Sequence, residues 1–549
     1  MNRPLERVDI SMKELEDILE RAKTTPLTDE ECAKLRKALE TLLYLTDLVG
    51  DKETTIAKLR KILFGASTEK IRNVLGKESP AANASATSSP EIQPGDLVGE
   101  APKEKASGHG RNGAKDFTGA KRVVVAHASL TPGQCCSKCG KGKIYRIKEP
   151  AVIVRITGQA PLQATVYEME RWRCNLCGEV FTADPPEGVG SAKWDEAAAS
   201  MVGMLKYGTG MPFHRLEQLQ KSLGIPLPAS TQWDMVKEAA EAIEPAWEEL
   251  IRQAAQGEVL HNDDTTAVIL ERILERRKRE QSEENGEAHG PWERTGTFTT
   301  GIVSMVQGQK IALFFTGGQH AGENLRDVLL QRASGLPPPI QMCDGLARNI
   351  PDLPEELEVI LANCNAHSRR QFVDVASRFP EECRFVLEVF RDVYHNDAVG
   401  RRQGMSPEDR LAFHKARSGP RMEDLRHWMA EQLNEKKVEP NSGLGEAILY
   451  TQKRWDRLTR FLEIPGAPLD NNAAERILKK AILSRKNSYF YKTARGAHVG
   501  DMFMSLIHTA ELEGANPFDY LTELQKHTKE VRNNPSQWMP WNYREIMKG

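Results

Sequence analysis

Between residues 258 and 363 the chain carries an order of elements that few folds accept. Apolar runs at 258–270, 296–307 and 310–316 predict three successive strands; a helical pattern near 321–333 follows, and then strand-like runs at 339–344 and 357–363. Two of these runs deliver acids. VLHNDDTTAVIL, residues 259–270, holds Asp263 and Asp264 in a polar centre between apolar flanks, and PIQMCDG, residues 339–345, ends its apolar run on Asp344. A strand end in a sheet covered by helices is the usual place for site residues. Side chains alternate across a strand, so only one of Asp263 and Asp264 is expected to face the site. The charged segment Glu271–Gly290 is expected to be a long loop between the first two strands.

A third acid lies in LDNNAAERILKKAILSRKN, residues 469–487. Glu475 stands near the head of a helical pattern, and from there to Gly500 come Arg476, Lys479, Lys480, Arg485, Lys486, Lys492 and Arg495 without a further Asp or Glu. Taken alone this is a solvated, charged helix face. Beside two acid-bearing strands it makes sense as an acid that holds a metal ion within a basic surface that holds a polyanion, since phosphate backbones are bound mainly by Lys and Arg. Three separated carboxylates suit a two-cation phosphoryl-transfer site, because hard Mg²⁺ takes oxygen ligands. The strand order, with acids on the first and fourth strands, is that of a ribonuclease-H-like sheet. The fold expected is multidomain α/β, with that core interrupted by a helical insertion.

At 549 residues the chain has room for three or four domains, on a prior of about 150 residues each. A hydrophobic fraction of 40% and a charged fraction of 28% are those of a globular protein. No apolar run approaches the ~18 residues of a spanning helix, and Met1–Arg21 is too charged for a secretory signal, so a cytoplasmic location without a membrane partner is expected, nucleoid-associated when bound to DNA. With 75 basic and 77 acidic residues the net charge is −2, and only local basic patches at 103–122 and 476–495 point to a polyanion. The nine cysteines, without a secreted context, are expected as ligands or buried thiols.

The amino-terminal part divides by composition. Residues 1–76 are helical in character, with a heptad seam through Leu35, Leu42, Val49, Ile56 and Leu63 that is broken by Lys52. It fits either a coiled coil pairing two protomers or a helix packed on its own domain, and pairing is preferred. Residues 77–120 are a Ser-, Ala-, Pro- and Gly-rich linker with a basic end, suited to lie along phosphates or simply to solubilise. Within 121–190, Cys136-Ser-Lys-Cys139 and Cys174-Asn-Leu-Cys177 are each followed by Gly, the pattern of a zinc ribbon whose four thiolates close a structural Zn²⁺ site. Cys135 adjoins Cys136, so either could be the ligand. Residues 191–256 are helical; FHRLEQLQKSLG, the turn IPLP and a second helix, with Ser230 as its N-cap, form a helix-turn-helix or a helical hairpin without DNA. The core is then expected in two parts, 257–371 and 466–510, around a helical insertion at 372–465, with a terminal region at 511–549.

Several short motifs together carry a resemblance. HNDDT at 261–265, CDG at 343–345, CNAHSRRQF at 364–372, DNNAAER at 470–476 and SRKN at 484–487 resemble the DDE transposases of the insertion-sequence sixty-six family. FGASTEK at 64–70, the paired CxxC knuckles, PFHRLEQ at 212–218, NPFDYL at 516–521 and MPWN at 539–542 extend that resemblance over nearly the whole chain. It implies that Asp263, Asp344 and Glu475 are the catalytic triad holding two Mg²⁺ or Mn²⁺ ions, and that the reaction is cleavage at the ends of a bacterial insertion sequence followed by joining to target DNA. The implied partners are double-stranded DNA, as terminal repeats and as target, a second copy of the chain, and companion proteins of the same element. Asn262 and Thr266 replace the family's usual Ala and Pro, and Leu346–Asn349 stand where the family carries tyrosines. Arg369, Arg370, Arg476, Lys479, Arg485, Lys486 and Asn487 are the expected DNA contacts, with surface salt bridges as the competing role. Cys364 and His367, which could be half of a metal site, are assigned a structural role, and His261 a packing role. A DNA-binding regulator with an inactive core, or a resolving nuclease on the same fold, are the competing functions.

Overall fold

The computed structural model describes residues 192–284 and 296–548 continuously, together with Thr28, 132–135, 139, 141–143, 145, 160–173 and 180–187. The expected heptad seam from Leu35 to Leu63 and the linker at 77–120 lie outside the described residues. The chain divides into two compact units: one joins Gly203–Met211 to the chain from Val236 onward, the other joins the described residues of 132–202 to Pro212–Met235. No described helix is long and apolar enough to cross a membrane.

In the smaller unit, strands β1 (Arg171–Arg173) and β2 (Val180–Thr182) pair antiparallel, with Arg173 opposite Val180. The residues between them, 174–179, carry the second CxxC and lie outside the described residues. A bridge between Cys135 and Lys143 brackets the first, where Gly142 N donates to Cys139 Sγ at 3.5 Å. Cys136, Cys174 and Cys177 lie outside the described residues, so the zinc expectation is carried by spacing alone. Helix α1 (Glu196–Gly203) precedes α2 (Phe213–Ser222) and α3 (Ala229–Ala254). The helix, turn and helix expected here are present, but α3 starts two residues early, at Ala229. Pro228 O accepts the first helical bond, from Gln232 N, so Ser230 lies inside the first turn instead of capping it. Gln232 Nε2 donates to Phe213 O and Leu227 O, which ties the second helix to the start of the first.

The larger unit is built on one mixed sheet of strands β3 (Val259–Thr266), β4 (Phe298–Val306), β5 (Gln309–Gly317), β6 (Ile340–Cys343) and β7 (Ile360–Asn363), in the order β5-β4-β3-β6-β7. Strands β3, β4 and β5 run antiparallel, and β6 and β7 continue parallel to β3. The physical reason is connection length. Gln307 and Gly308, both at positive φ, turn β4 into β5 in two residues, whereas β6 is reached only through helix α5 (Ala321–Leu329), and a crossover of that length returns a strand parallel. The segment 270–284, expected as loop, is helix α4 (Leu270–Glu284). Its sequence LERILERRKREQSEE is charged but composed almost wholly of strong helix formers, with Glu and Arg or Lys placed four apart.

After β7 the chain enters helices α6 (Asn365–Val375), α7 (Pro380–Arg402), α8 (Pro407–Arg417), α9 (Gly419–Asn434) and α10 (Gly443–Gln452). Their apolar faces bury Phe372, Val386, Phe390, Leu425, Met429 and Ile448 in one core shared with Val259, Ile340 and Met342 of the sheet. Helix α11 (Asn472–Ser488) then packs on β3 and β4. It comes close because Gly301 of β4, which pairs with Asp263, has no side chain: a Cβ there would lie 2.9 Å from Leu478 Cγ. Helix α12 (Ala494–Leu512) covers the edge strand β5. Asp501 Oδ2, Ser505 Oγ and Thr509 Oγ1 accept from the backbone N–H of Thr316, Phe314 and Ala312 at 2.6, 3.0 and 3.0 Å. Four helical residues rise about 6 Å, close to the ~6.8 Å of two strand residues, so a polar stripe spaced by four matches alternate strand amides and leaves that edge no free donors along its middle.

Candidate active site

Asp263 lies in β3 and Asp344 directly after β6, its parallel neighbour. A single buried amide serves both: Asn349 Nδ2 lies 2.7 Å from Asp344 Oδ1 and 3.3 Å from Asp263 Oδ1. Asp344 Oδ1 also accepts from Leu346 N at 3.0 Å, closing the turn that follows the strand. Gly345 makes that turn at φ 82°, and a Cβ there would lie 3.0 Å from Arg454 Nε. Burial first, and then the neighbouring Asp344 charge, push the Asp263 carboxyl up to about 7. Two carboxylates converge here with one neutral donor between them.

Asn349 is itself held by amides. Asn262 Nδ2 and Gln341 Nε2 both donate to Asn349 O at 2.7 Å, and Gln341 Nε2 also reaches Asn262 Oδ1 at 2.9 Å. These side chains are buried in β3 and β6, and their bonds to the Asn349 carbonyl hold its backbone in place. Asp264 goes elsewhere, as strand alternation requires. Its side chain is 1% exposed, with His320 Nδ1 at 2.8 Å and Arg348 Nη2 at 3.3 Å.

Glu475 is in the first turn of α11, whose start is anchored to β3. Asn471 Nδ2 donates to Asn262 O at 3.0 Å, and Asn471 Oδ1 lies 3.2 Å from His261 Nδ1. Burial lowers the His261 imidazole to about 4, so it is neutral and its ring is a packing and orienting group, as expected from the sequence. The Glu475 carboxylate meets His367 Nδ1 at 3.9 Å, and the ligand atoms of Cys364, His367 and Glu475 all lie within 4.8 Å of one another. Sequence spacing placed Cys364 and His367 together but gave no reason to join Glu475 to them.

The basic residues divide. Arg476 and Lys479 are exposed on α11, as are Lys486 and, on α6, Arg370; Arg369 and Asn487 are half-buried. Arg476 Nε donates to Asn472 O at 3.2 Å. Arg485 bends inward, donating to Thr266 O and Thr266 Oγ1, so it fastens the end of α11 to the end of β3. Sequence reasoning missed Lys206, which is buried beside Ser488 Oγ at 2.8 Å and lowered to about 8 by that burial. It also missed Asn349, Gln341 and His320. For Gln341 the available signal was an amide inside an otherwise apolar strand; Asn349 and His320 lie outside the strands and carried no such signal.

A model of the family described as Transposase IS66 family matches residues 192–499. That stretch is more than half of the chain and contains the sheet, the three carboxylates and Cys364–Phe372, and the chain belongs to this family of transposases. Uncharacterized protein y4jD of Sinorhizobium fredii (strain NBRC 101917 / NGR234) is 24% identical over 520 residues, covering 92% of this chain and 97% of its own length. Uncharacterized protein y4hP of the same strain is 24% identical over 456 residues, covering 77% and 75%.

Proposed function

We propose that the protein is a metal-dependent DNA transposase that cleaves the ends of its element and joins the freed 3′-hydroxyls to target DNA, with Asp263, Asp344 and Glu475 as the catalytic carboxylates. The observation that carries this reading is the convergence of Asp263 and Asp344 from adjacent parallel strands onto Asn349. The sheet order supports a ribonuclease-H-like core, in which the acids stand on the first and fourth strands.

The donor set fits hard divalent cations. All three acids offer oxygen, and the charge that Asp344 imposes on Asp263 is the repulsion a cation would relieve. Bound Mg²⁺ or Mn²⁺ ions would supply activation of the attacking oxygen and charge stabilisation of the leaving one. The protein's own part is positioning. Asn349 sets the separation of two carboxylates, the Asn471 bonds fix the first turn of α11, and Gly301 allows that helix to reach the sheet. Arg370 on α6 and Arg476, Lys479 and Lys486 on α11 are exposed cations on the helices whose first turns hold His367 and Glu475, and a DNA backbone would be held there. Four Cys thiolates at 136, 139, 174 and 177 are proposed to hold a structural Zn²⁺. The test is incubation of the purified protein with Mg²⁺ and DNA carrying the terminal repeats of its own locus, with the products sequenced. Joined products support the reading; cut but unjoined ends favour a resolving nuclease, and binding without cutting a regulator.

A further inference from the structure

Two helices begin at the same place. Cys364 is the N-cap of α6 and His367 lies in its first turn, while Asn471 is the N-cap of α11 and Glu475 lies in its first turn. The junction is closed by the backbone: Asn365 N donates to Leu469 O at 3.0 Å, and Asn471 N donates to Cys364 Sγ at 3.2 Å. Cys364 is 1% exposed, and His367 Nδ1 is a buried nitrogen with no hydrogen-bond partner. A buried imidazole nitrogen without a hydrogen bond, a buried sulfur and a carboxylate oxygen, all within 4.8 Å of one another, form a set of atoms that could hold an ion. Three protein ligands of S, N and O type suit a borderline cation such as Zn²⁺, with a fourth position left open; a thiol does not suit Mg²⁺. Burial pushes the Cys364 thiol up to about 12 against the backbone N–H groups on the sulfur, so its proton would leave only as an ion binds.

We propose that Cys364, His367 and Glu475 form a site for one divalent transition-metal ion of the Zn²⁺ class, and that its occupation withdraws the Glu475 carboxylate from the hard-cation site. The thiol proton leaves to solvent as the ion binds. Glu475 is thereby contested between oxygen-ligated Mg²⁺ beside Asp263 and Asp344 and a sulfur- and nitrogen-ligated ion beside α6. The second half of the proposal rests on the catalytic reading of Glu475; the binding half does not.

Co²⁺, which reports thiolate ligation by its absorption, is the probe. Full-length protein already holding its tightly bound zinc is titrated with Co²⁺, beside Cys364→Ser and His367→Ala. The parent should take up one more equivalent than either variant, with a sulfur-to-metal band that Zn²⁺ displaces. Equal stoichiometry and spectra in all three overturn the site. His367 is partly exposed and its replacement should fold, as circular dichroism without added metal will check, so His367→Ala decides the matter if Cys364→Ser does not fold. In a second arm, DNA cleavage at fixed Mg²⁺ is measured against added Zn²⁺. Inhibition of the parent that rising Mg²⁺ relieves supports the competition, and inhibition insensitive to Mg²⁺ overturns it. If no cleavage occurs under any condition the catalytic reading fails, while the cobalt result stands by itself.

Discussion

Asp263 and Asp501 are both pushed up to about 7, and in both the main cause is burial. Their surroundings differ in kind. Asp501 is satisfied locally, accepting from Thr316 N at 2.6 Å and from Thr316 Oγ1 at 2.7 Å, and no neighbouring charge raises it further. Asp263 has a second carboxylate beside it and shares one amide with it. The first arrangement closes a sheet edge; the second gathers negative charge in one place and leaves it to a partner. A raised carboxyl alone therefore does not mark a site, and convergence of like charges is the more telling sign.

The comparison breaks most sharply on the acids themselves. Asp263→Asn, Asp344→Asn and Glu475→Gln are each expected to lower strand joining by on the order of 10³-fold or more, with DNA binding retained. Gel-based joining and binding assays on the same samples check both, and Asp501→Asn should join like the parent. If an Asp263 or Asp344 variant joins normally, the distinction between the two regions fails.

The next effect is on stability and has a defined sign. Because the folded Asp501 carboxyl sits near 7, above its ordinary 3.8, the folded state binds more protons than the unfolded one between those values. The contribution of this group is therefore full at low pH and is lost as pH rises through about 7. Asn mimics the protonated acid, so Asp501→Asn should gain on the parent as pH climbs from 4 to 7, by on the order of 4 kcal/mol at pH 8. Urea unfolding across that range measures it, and a difference independent of pH would sink the assignment.

Two smaller effects sharpen the contrast. Asn349→Ala should reduce activity or apparent Mg²⁺ affinity roughly 10–100-fold, the usual cost of losing an orienting partner. A full recovery at high Mg²⁺ would identify the loss as one of cation binding. Asp264→Asn is expected to keep joining within about tenfold, since the Asp264 carboxylate is turned to His320 and Arg348 instead of to Asn349. Should it be inactive while Asp263→Asn works, the roles of the two neighbours are reversed.

The position of each core strand was legible because alternating and continuous apolar runs are a local property: β4 and β5 were expected at 296–307 and 310–316 and occupy 298–306 and 309–317. Helix α4 was not, because a run of charges suggests a solvent-exposed loop, whereas these residues are nearly all strong helix formers. Asn349 escaped for another reason. An amide after a turn has no distinguishing spacing, and its value arises only when β3 and β6 bring Asp263 and Asp344 to either side of it.

By itself the sequence determined the acids, the basic helix that carries the third of them and the order of strands, since each depends on residue type and short-range periodicity. Only the tertiary structure decided which groups meet. Strand pairing put Asp263 next to Asp344, the N-cap bonds of Asn471 set the start of α11 against β3 and Cys364, and the joined starts of α6 and α11 brought Glu475 to His367. These contacts join residues between 81 and 209 positions apart. Chain separation holds no information about such distances until loops close and surfaces pack, at an entropic cost that the buried core repays.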